Sequence, residues 1–179
     1  ANIEVSAEQK NGEVVLTFVT TGNWFVGRVS VTRVPAPPRA GELVVATKLD
    51  LGRRFLEEDG SAAVERIRET VRDNGFFASK VRPIFTHDPR TQQVNIEFVI
   101  ESGARDRFAP PLIQGNPRRP PGTLIGTTKW KGWLGWRPVT ENRAQRGLER
   151  IRESYRKRDY LMAQVSIEKM NHDPATLGA

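Results

Sequence analysis

An internal repeat constrains the fold of this chain more than any other feature of its sequence. The segment Val64–Arg72 returns as Leu148–Arg156, an offset of 84 residues, and both copies carry the run Glu-Arg-Ile-Arg-Glu. Phe76 corresponds to Tyr160 at the same offset. Solenoid repeats span roughly 20–50 residues, so a repeat of this length indicates a small domain that is present more than once.

Three segments of the first copy are predicted to be β-strands. Residues Trp24–Arg33 and Val94–Ile100 alternate apolar and polar side chains, which is the pattern of a strand with one buried face. Phe77–Thr86 is the strand between them, and Asp88-Pro89 turns the chain after it. The first copy therefore supplies enough strands for a small sheet.

Two helices are predicted between the first and the second of these strands. Val44–Arg54 is interpreted as a short helix. The longer helix is predicted to begin at the N-cap sequence Asp59-Gly60-Ser61 and to end at Asn74-Gly75, because glycine accepts the left-handed conformation that ends helices. Its apolar stripe consists of Val64, Ile67 and Val71.

The order strand, helix, helix, strand, strand predicts an α+β fold. If the helix pair returns the chain to the start of strand one, strand three lies parallel to strand one and antiparallel to strand two. The sequence therefore predicts tandem β-α-α-β-β repeats. Each would be a three-stranded mixed sheet in the order 1-3-2, covered on one face by two helices.

Partial copies are predicted on both sides of the complete one. Ile3–Lys10 and Glu13–Thr20 form a hairpin through Asn11-Gly12, and the second of these strands resembles Gln93–Ile100. We therefore expect residues 1–21 to be the last hairpin of a preceding repeat. Residues 22–103 form a complete repeat, here called copy one, and residues 104–179 form copy two, which lacks its last strand. In copy two the helix is predicted at Thr140–Arg158 and the second strand at Tyr160–Met170.

Several short motifs fit a known family. Gly75-Phe76 follows the long helix of copy one, and Ile113-Gln-Gly-Asn116 ends the first strand of copy two. Leu148, Ile151 and Tyr155 precede a valine-containing strand. In tandem β-α-α-β-β units of this length, these motifs resemble the POTRA (polypeptide-transport-associated) repeats of BamA-like and TamA-like outer-membrane barrel-assembly proteins, the bacterial surface antigen family. Copy two departs from the pattern with Asp159 where copy one has Gly75.

The resemblance implies a function in protein transport. POTRA repeats stand in the periplasm of Gram-negative bacteria as part of an outer-membrane protein. They are thought to receive unfolded outer-membrane proteins and accessory assembly proteins. The implied activity is protein binding by a chaperone-like arm, with no enzymatic reaction and no cofactor. A POTRA repeat of a secretion or cell-division protein is the alternative within the family.

The predicted sheet suggests where a polypeptide would bind. In the order 1-3-2, strand two is an edge strand whose backbone groups can pair with an extended peptide. Its candidate contact residues are Val81, Arg82, Ile84 and Phe85. Pro83 interrupts the edge, since proline has no N–H to donate, and it could equally protect the edge against accidental pairing. The incomplete sheets predict that the chain could also associate with itself.

A tryptophan series is a second candidate surface. Trp130, Trp133 and Trp136 recur at helical spacing beside Lys129 and Lys131. They could lie on an anionic lipid surface or bind a partner, although aromatic stripes of this kind more often pack inside a protein. His87 and His172 both precede Asp-Pro and are interpreted as solvated turn residues rather than metal ligands.

Charge and composition leave one alternative function open. The net charge is +7, which also fits a basic α/β module that binds nucleic acid. Gly22 and Gly103 do not form a clamp loop of the Gly-x-x-Gly type, so no nucleic acid is expected as a partner. The chain has no cysteine, which excludes thiolate metal sites and cysteine nucleophiles. No phosphate-binding glycine loop or nucleophile motif is present either, so the sequence predicts a binding protein.

Overall fold

The computed structural model describes residues 2–10 and 12–172. They form four helices and seven strands. The strands are β1 (Asn2–Lys10), β2 (Glu13–Thr21), β3 (Phe25–Thr32), β4 (Lys80–Asp88), β5 (Gln93–Glu101), β6 (Lys131–Gly132) and β7 (Gly135–Trp136). The helices are α1 (Ala40–Thr47), α2 (Glu57–Asp73), α3 (Pro121–Thr128) and α4 (Glu141–Arg156).

Copy one forms a three-stranded mixed sheet in the order β3-β5-β4. The first strand, β3, lies parallel to β5, and β4 lies antiparallel to it. The last strand in sequence is therefore central, as the predicted order 1-3-2 requires. The α+β fold class is confirmed, and each predicted strand of copy one is found within three residues of its predicted start.

The helices α1 and α2 cover one face of this sheet. Alternate residues of β5 are almost completely buried against them, because successive side chains of a strand point to opposite faces. The core of copy one contains Val94, Ile96, Phe98 and Ile100 from β5, with Ile67 and Val71 from α2 and Leu43 from α1. The predicted stripe on α2 is confirmed, with Val64 half-buried at its margin.

The short helix of copy one was predicted in the wrong place. α1 runs over Ala40–Thr47 rather than Val44–Arg54. It begins where the Glu42 carboxylate accepts a hydrogen bond from the Arg39 N–H at 3.1 Å. It ends because Lys48 adopts a left-handed conformation at φ 56°. The Arg54 backbone instead bridges to Phe25 of β3.

The predicted start of α2 was also wrong, whereas its end is confirmed. α2 begins at Glu57, and Asp59 lies in its first turn, where the carboxylate accepts from the Leu56 N–H at 3.1 Å. At the other end Gly75 has φ 87°. The N–H groups of Gly75 and Phe76 then donate to the carbonyls of Arg72 and Val71, so the last carbonyls of the helix are satisfied.

Copy two repeats the helix pair of copy one closely. In copy one the Thr47 hydroxyl donates to the Val44 carbonyl at 2.7 Å, and Arg66 donates to the Thr47 carbonyl at 3.0 Å. The equivalents in copy two are Thr128, which donates to Ile125 at 2.7 Å, and Arg150, which donates to Thr128 at 2.9 Å. We call this pair of contacts the Thr–Arg clamp. The repeat therefore reproduces how the helices are fastened to each other, as well as the helices themselves.

The sheet of copy one has no counterpart in copy two within the described residues. The strand predicted at Tyr160–Met170 is absent, although Ala163, Val165 and Ile167 are half-buried between exposed neighbours in the alternation of a strand. In copy one the central strand β5 supplies hydrogen bonds to both β3 and β4. In copy two, the segment before α3 and the segment Tyr160–Met170 have no such strand between them among the described residues. These two segments therefore do not form a ladder of hydrogen bonds. Self-association through this segment stays a prediction.

Backbone hydrogen bonds join the two copies. The Asp106 N–H donates to the Gly75 carbonyl at 2.8 Å, and the Val139 N–H donates to the Asp106 carbonyl at 2.8 Å. A β-carbon at Gly75 would lie 2.9 Å from the β-carbon of Val139, so only glycine fits this contact. The Arg105 guanidinium lies 4.4 Å from the centre of the Phe76 ring. Gly75 therefore both ends α2 and lets copy two approach.

The predicted N-terminal hairpin is confirmed as β1 and β2, with Lys10 paired to Glu13. Asn11 of its turn lies outside the described residues, and Gly12 has φ 85°. Val14, Leu16 and Phe18 lie on one face of β2 and are 64%, 54% and 62% exposed. This hairpin is a separate two-stranded sheet with an exposed apolar face.

Candidate functional site

The strand β4 forms an edge of the sheet, and no other described strand pairs with its outer side. It pairs with β5 over nine residues, from Lys80 opposite Glu101 to Asp88 opposite Gln93. The side chains of Val81, Pro83 and Phe85 point to the helix face, and those of Arg82 and Ile84 point to the opposite face, because the side-chain period of a strand is two. The edge is therefore long and regular, with one proline near its centre.

A groove of about 410 Å³ runs between β4 and the first turns of α2. Pro83, Phe85 and His87 form its β4 wall. Its other wall consists of Phe55, Glu57, Gly60, Ser61, Val64 and Glu65. The Phe55 and Phe85 rings are 5.5 Å apart, and Gly60 lies against Phe85 with almost no space for a β-carbon. The groove thus has an aromatic floor and two carboxylates at its rim.

The predicted edge residues have different environments. Val81 is 8% exposed and belongs to the core, so only its backbone is available at the edge. Ile84 and Phe85 are adjacent and almost equally exposed, at 42% and 39%, but they lie on opposite faces of the strand. Phe85 lines the groove, while Arg82 and Ile84 face away from it. Sequence reasoning identified the strand but missed the α2 wall of the groove, which tertiary packing creates.

The three tryptophans do not lie on one helix, so the helical interpretation of their spacing was wrong. Gly132 and Gly135 pair across the short hairpin β6–β7, and the chain turns at Trp133 and Leu134. Trp130 is buried, and its ring stacks on Phe108 with 4.6 Å between ring centres. Trp136 is half-buried in β7. Trp133 alone is fully presented to solvent, at 94% exposure, next to Leu134 at 80%.

Neither histidine lies in a turn as predicted, although His87 is exposed to solvent. His87 lies in β4 and makes an edge-to-face contact with Trp24, with 4.6 Å between ring centres. His172 Nδ1 lies 2.6 Å from Oδ2 of Asp106, and its ring stacks on Phe77. Asp106 is 1% exposed. His172 therefore belongs to the contact between the two copies.

A second cavity, which we call the basic pocket, lies beside α4 and measures about 180 Å³. Its lining residues are Lys129, Arg137, Thr140, Asn142, Arg143, Arg146 and Arg150. Burial lowers the pKa of the Arg143 guanidinium, and the neighbouring cation Arg137 lowers it further. Arg143, Arg146 and Arg150 share one helix face by their spacing, a signal in the sequence that could have indicated the pocket.

Within residues 2–10 and 12–172, no three side chains of the His, Cys, Asp and Glu types are grouped so that they could hold a metal ion. None of the helices found there is long and apolar enough to cross a membrane.

Solved structures similar to this chain include POTRA domains of BamA and Omp85. BamA POTRA3-5 from Haemophilus influenzae is 15% identical, with 86% of this chain and 60% of that chain covered and a TM-score of 0.41. The N-terminal domain of Omp85 from Thermosynechococcus elongatus is 18% identical, with 86% and 65% covered and a TM-score of 0.44. POTRA1-2 of the periplasmic domain of Omp85 from Anabaena is 19% identical, with 82% and 87% covered and a TM-score of 0.42.

The chain spans 60% of the length of the first of these structures. No protein-family model matches the chain, and no curated protein sequence matches it.

Proposed function

We propose that the chain is a POTRA-type scaffold that binds an extended polypeptide along the outer edge of β4. The observation that carries the proposal is an unpaired strand edge that runs beside a groove with aromatic walls. A peptide added to the edge would gain main-chain hydrogen bonds, and every second side chain of it would point into the groove. Main-chain pairing tolerates many sequences, which suits a receptor for many clients.

Pro83 sets the register of this binding. Proline cannot donate to β5, and within a sheet it lies where its nitrogen faces away from the paired strand. The backbone groups of Val81, Phe85 and His87 would then face outward with those of Pro83, since they lie at even spacing from it along β4. The incoming strand would find three N–H donors and four carbonyl acceptors. Pro83 therefore weakens the edge by one bond without closing it.

The motif resemblance supports a more specific assignment. Under the proposal, the clients are unfolded outer-membrane proteins and accessory assembly proteins, bound in the periplasm by a chain that belongs to an outer-membrane protein. Strands of such clients alternate apolar and polar side chains. An apolar set could enter the groove beside Phe85 while the polar set stays in water. The reaction required of the chain is reversible binding alone.

The test is a titration of the isotope-labelled chain with a barrel-strand peptide, followed by NMR. We expect the amides of Phe85 and His87 to shift and to gain protection from hydrogen exchange. Phe85→Ala removes one wall of the groove and should weaken binding about tenfold, which corresponds to about 1.4 kcal/mol. Ile84→Ala is the matched control, because Ile84 is equally exposed but lies on the other face.

The same titration can contradict the proposal. Equal losses from Phe85→Ala and Ile84→Ala would exclude the groove as the place where side chains bind. Peptide binding that leaves the β4 amides unchanged would exclude the strand edge itself. A scrambled peptide of the same composition separates strand pairing from simple hydrophobic attraction.

A further inference from the structure

We propose that the basic pocket binds the phosphate group of an anionic phospholipid, while the adjacent tip of the β6–β7 hairpin enters the membrane surface. The proposal concerns copy two and does not depend on the β4 edge. It rests on the charge of the pocket, on Arg143 and Arg146, which have no basic equivalent in copy one, and on the position of Trp133.

The pocket concentrates positive charge that nothing in the described chain neutralises. Its five cations are Lys129, Arg137, Arg143, Arg146 and Arg150. No described carboxylate lies within 4.0 Å of any of them, since the ion pairs present are made by Arg68, Arg152, Arg156 and His172. Like charges spaced three or four residues apart on a helix are destabilising. An anion from outside would relieve that repulsion.

The fold itself does not require this charge. At the repeat offset of 84 residues, Arg143 corresponds to Asp59 and Arg146 corresponds to Ala62. Arg150 corresponds to Arg66, and both take part in the Thr–Arg clamp. Arg137 corresponds to Arg53 at the same offset, and Lys129 ends α3 as Lys48 ends α1. Copy one thus folds the same helix pair with an acidic first turn. Arg143 also donates to the Pro138 carbonyl, whereas the Arg146 side chain makes no hydrogen bond or ion pair with the described residues. Arg146 is therefore explained better by a ligand than by folding.

The chemistry of the pocket fits a single phosphate group. Arginine presents a planar fork of N–H donors that matches phosphate oxygens in pairs. Thr140 and Asn142 add neutral donors to the wall. At about 180 Å³ the pocket is smaller than the roughly 300–1,000 Å³ of a site for a drug-sized ligand. A headgroup phosphate fits this size and charge better than a bulky organic anion.

The neighbouring hairpin favours a lipid as the source of that phosphate. Trp133 is 94% exposed at the turn, and Arg137 packs beside Gly132 of the same hairpin. Leu134 follows at 80% exposure, and Lys131 lies on the same hairpin. Tryptophan is enriched at the headgroup level of bilayers, where its ring is apolar and its N–H stays hydrated. Pocket and tip therefore form one continuous surface with basic and aromatic parts.

The experiment is sedimentation of the full chain with vesicles. Binding is expected to phosphatidylcholine vesicles that contain phosphatidylglycerol, and not to phosphatidylcholine alone. The double variant Arg137→Ala/Arg146→Ala should bind at least about tenfold more weakly, given two lost cations near the surface. Trp133→Ala should also weaken binding. Arg28→Ala/Arg90→Ala is the control, because it also removes two positive charges, both from exposed side chains of copy one.

Three outcomes would overturn the proposal. Equal losses from Arg28→Ala/Arg90→Ala and Arg137→Ala/Arg146→Ala would show that net charge, rather than the pocket, causes binding. Inorganic phosphate that shifts the Arg143 and Arg146 resonances without any vesicle binding would show a site for a soluble anion. Binding of a single-stranded oligonucleotide that depends on Arg146, again without vesicle binding, would assign the pocket to nucleic acid. Circular dichroism of each variant confirms that the helices remain folded.

Discussion

Copy one and copy two have the same helix pair but not the same sheet. In both, a buried threonine ends the short helix and an arginine of the long helix binds its carbonyl, with donor–acceptor distances of 3.0 Å and 2.9 Å. Within the described residues only copy one has a central strand and a three-stranded sheet, whereas copy two has only the two-residue strands β6 and β7. The helix pair is therefore specified by local contacts, whereas the sheet depends on one strand that supplies bonds to two others.

The largest expected difference between the copies is the free energy of unfolding that is lost when a core isoleucine is replaced. Ile67→Ala should lower the free energy of unfolding by about 3–4 kcal/mol, because Ile67 is completely buried between helix and sheet. Ile151 is its equivalent and packs on Leu124 and Tyr155 without a sheet behind it. Ile151→Ala should therefore cost only about 1–2 kcal/mol. Urea unfolding with hydrogen exchange as the local probe measures both.

Equal losses in that experiment would contradict the comparison. They would mean that the segment around Val165 covers copy two as completely as the sheet covers copy one.

The ends of the two long helices give the second test. Gly75→Ala introduces a β-carbon at φ 87° and against Val139, so we expect a loss of about 2–3 kcal/mol and a looser contact between the copies. Asp159 occupies the equivalent position with φ 63°. Asp159→Gly removes a strained conformation there and should raise the free energy of unfolding by about 0.5 kcal/mol.

The informative result is whether each substitution raises or lowers the free energy of unfolding. Thermal unfolding of both variants measures this. A loss on Asp159→Gly would show that the aspartate contributes a contact of its own at the helix end.

The Thr–Arg clamp should respond equally in both copies. Thr47→Val and Thr128→Val keep the side-chain volume but remove a hydroxyl that donates to one carbonyl and accepts from one N–H. Each change should lower the free energy of unfolding by about 1–2 kcal/mol, because a buried N–H loses its acceptor. Amide exchange at Leu49 and Trp130 reports the two sites separately. A cost confined to Thr47 would mean that the clamp needs the sheet.

The smallest expected effect concerns charge at the helix ends. Burial raises the pKa of Asp73, and Glu141 of copy two and Glu69 raise it further, while Arg72 lowers it. An acid whose pKa is raised by folding contributes stability below its ordinary pKa of 3.8 and loses that contribution as the pH rises through the folded value. Asp73→Asn should therefore stabilise the chain at pH 7 by only a few tenths of a kcal/mol, since solvent reaches the partly buried Asp73 side chain and screens its charge.

At pH 3 the gain from Asp73→Asn should disappear. The equivalent residue of copy two is Lys157, which caps the end of α4 with a favourable positive charge. Lys157→Asn should thus lower the free energy of unfolding by a few tenths of a kcal/mol at pH 7. Chemical denaturation at both pH values checks the pair, and a gain from Asp73→Asn that persists at pH 3 would point to a cause other than ionisation.

The sheet and the long helices could be predicted because each depends on a pattern within one segment. Alternation along Val94–Ile100 and the stripe of Val64, Ile67 and Val71 are sufficient for that. α1 lies earlier in the sequence than predicted because its end is set by Lys48. This non-glycine residue adopts a left-handed conformation that sequence rules do not anticipate. The tryptophan hairpin was mistaken for a helix because Trp130, Trp133 and Trp136 fit helical spacing while Gly132 and Gly135 permit a turn.

The candidate sites were predicted less completely than the fold. The edge strand follows from the strand order, so Phe85 could be named from the sequence. Its groove also needs Phe55 and Gly60, which are distant in sequence and come together only when α2 packs on the sheet. The basic pocket likewise joins Lys129 to Arg146 across the fold. Periodicity identifies surfaces within one element and does not identify cavities between elements.

The position of β5 has a consequence for synthesis on the ribosome. The strand at the centre of the sheet is the last of its repeat to be translated, so β3 and β4 emerge before the segment that joins them. Before Gln93–Glu101 is present, β3 and β4 have no strand between them with which to form hydrogen bonds. The three-stranded sheet can therefore form only after the whole repeat has been synthesised.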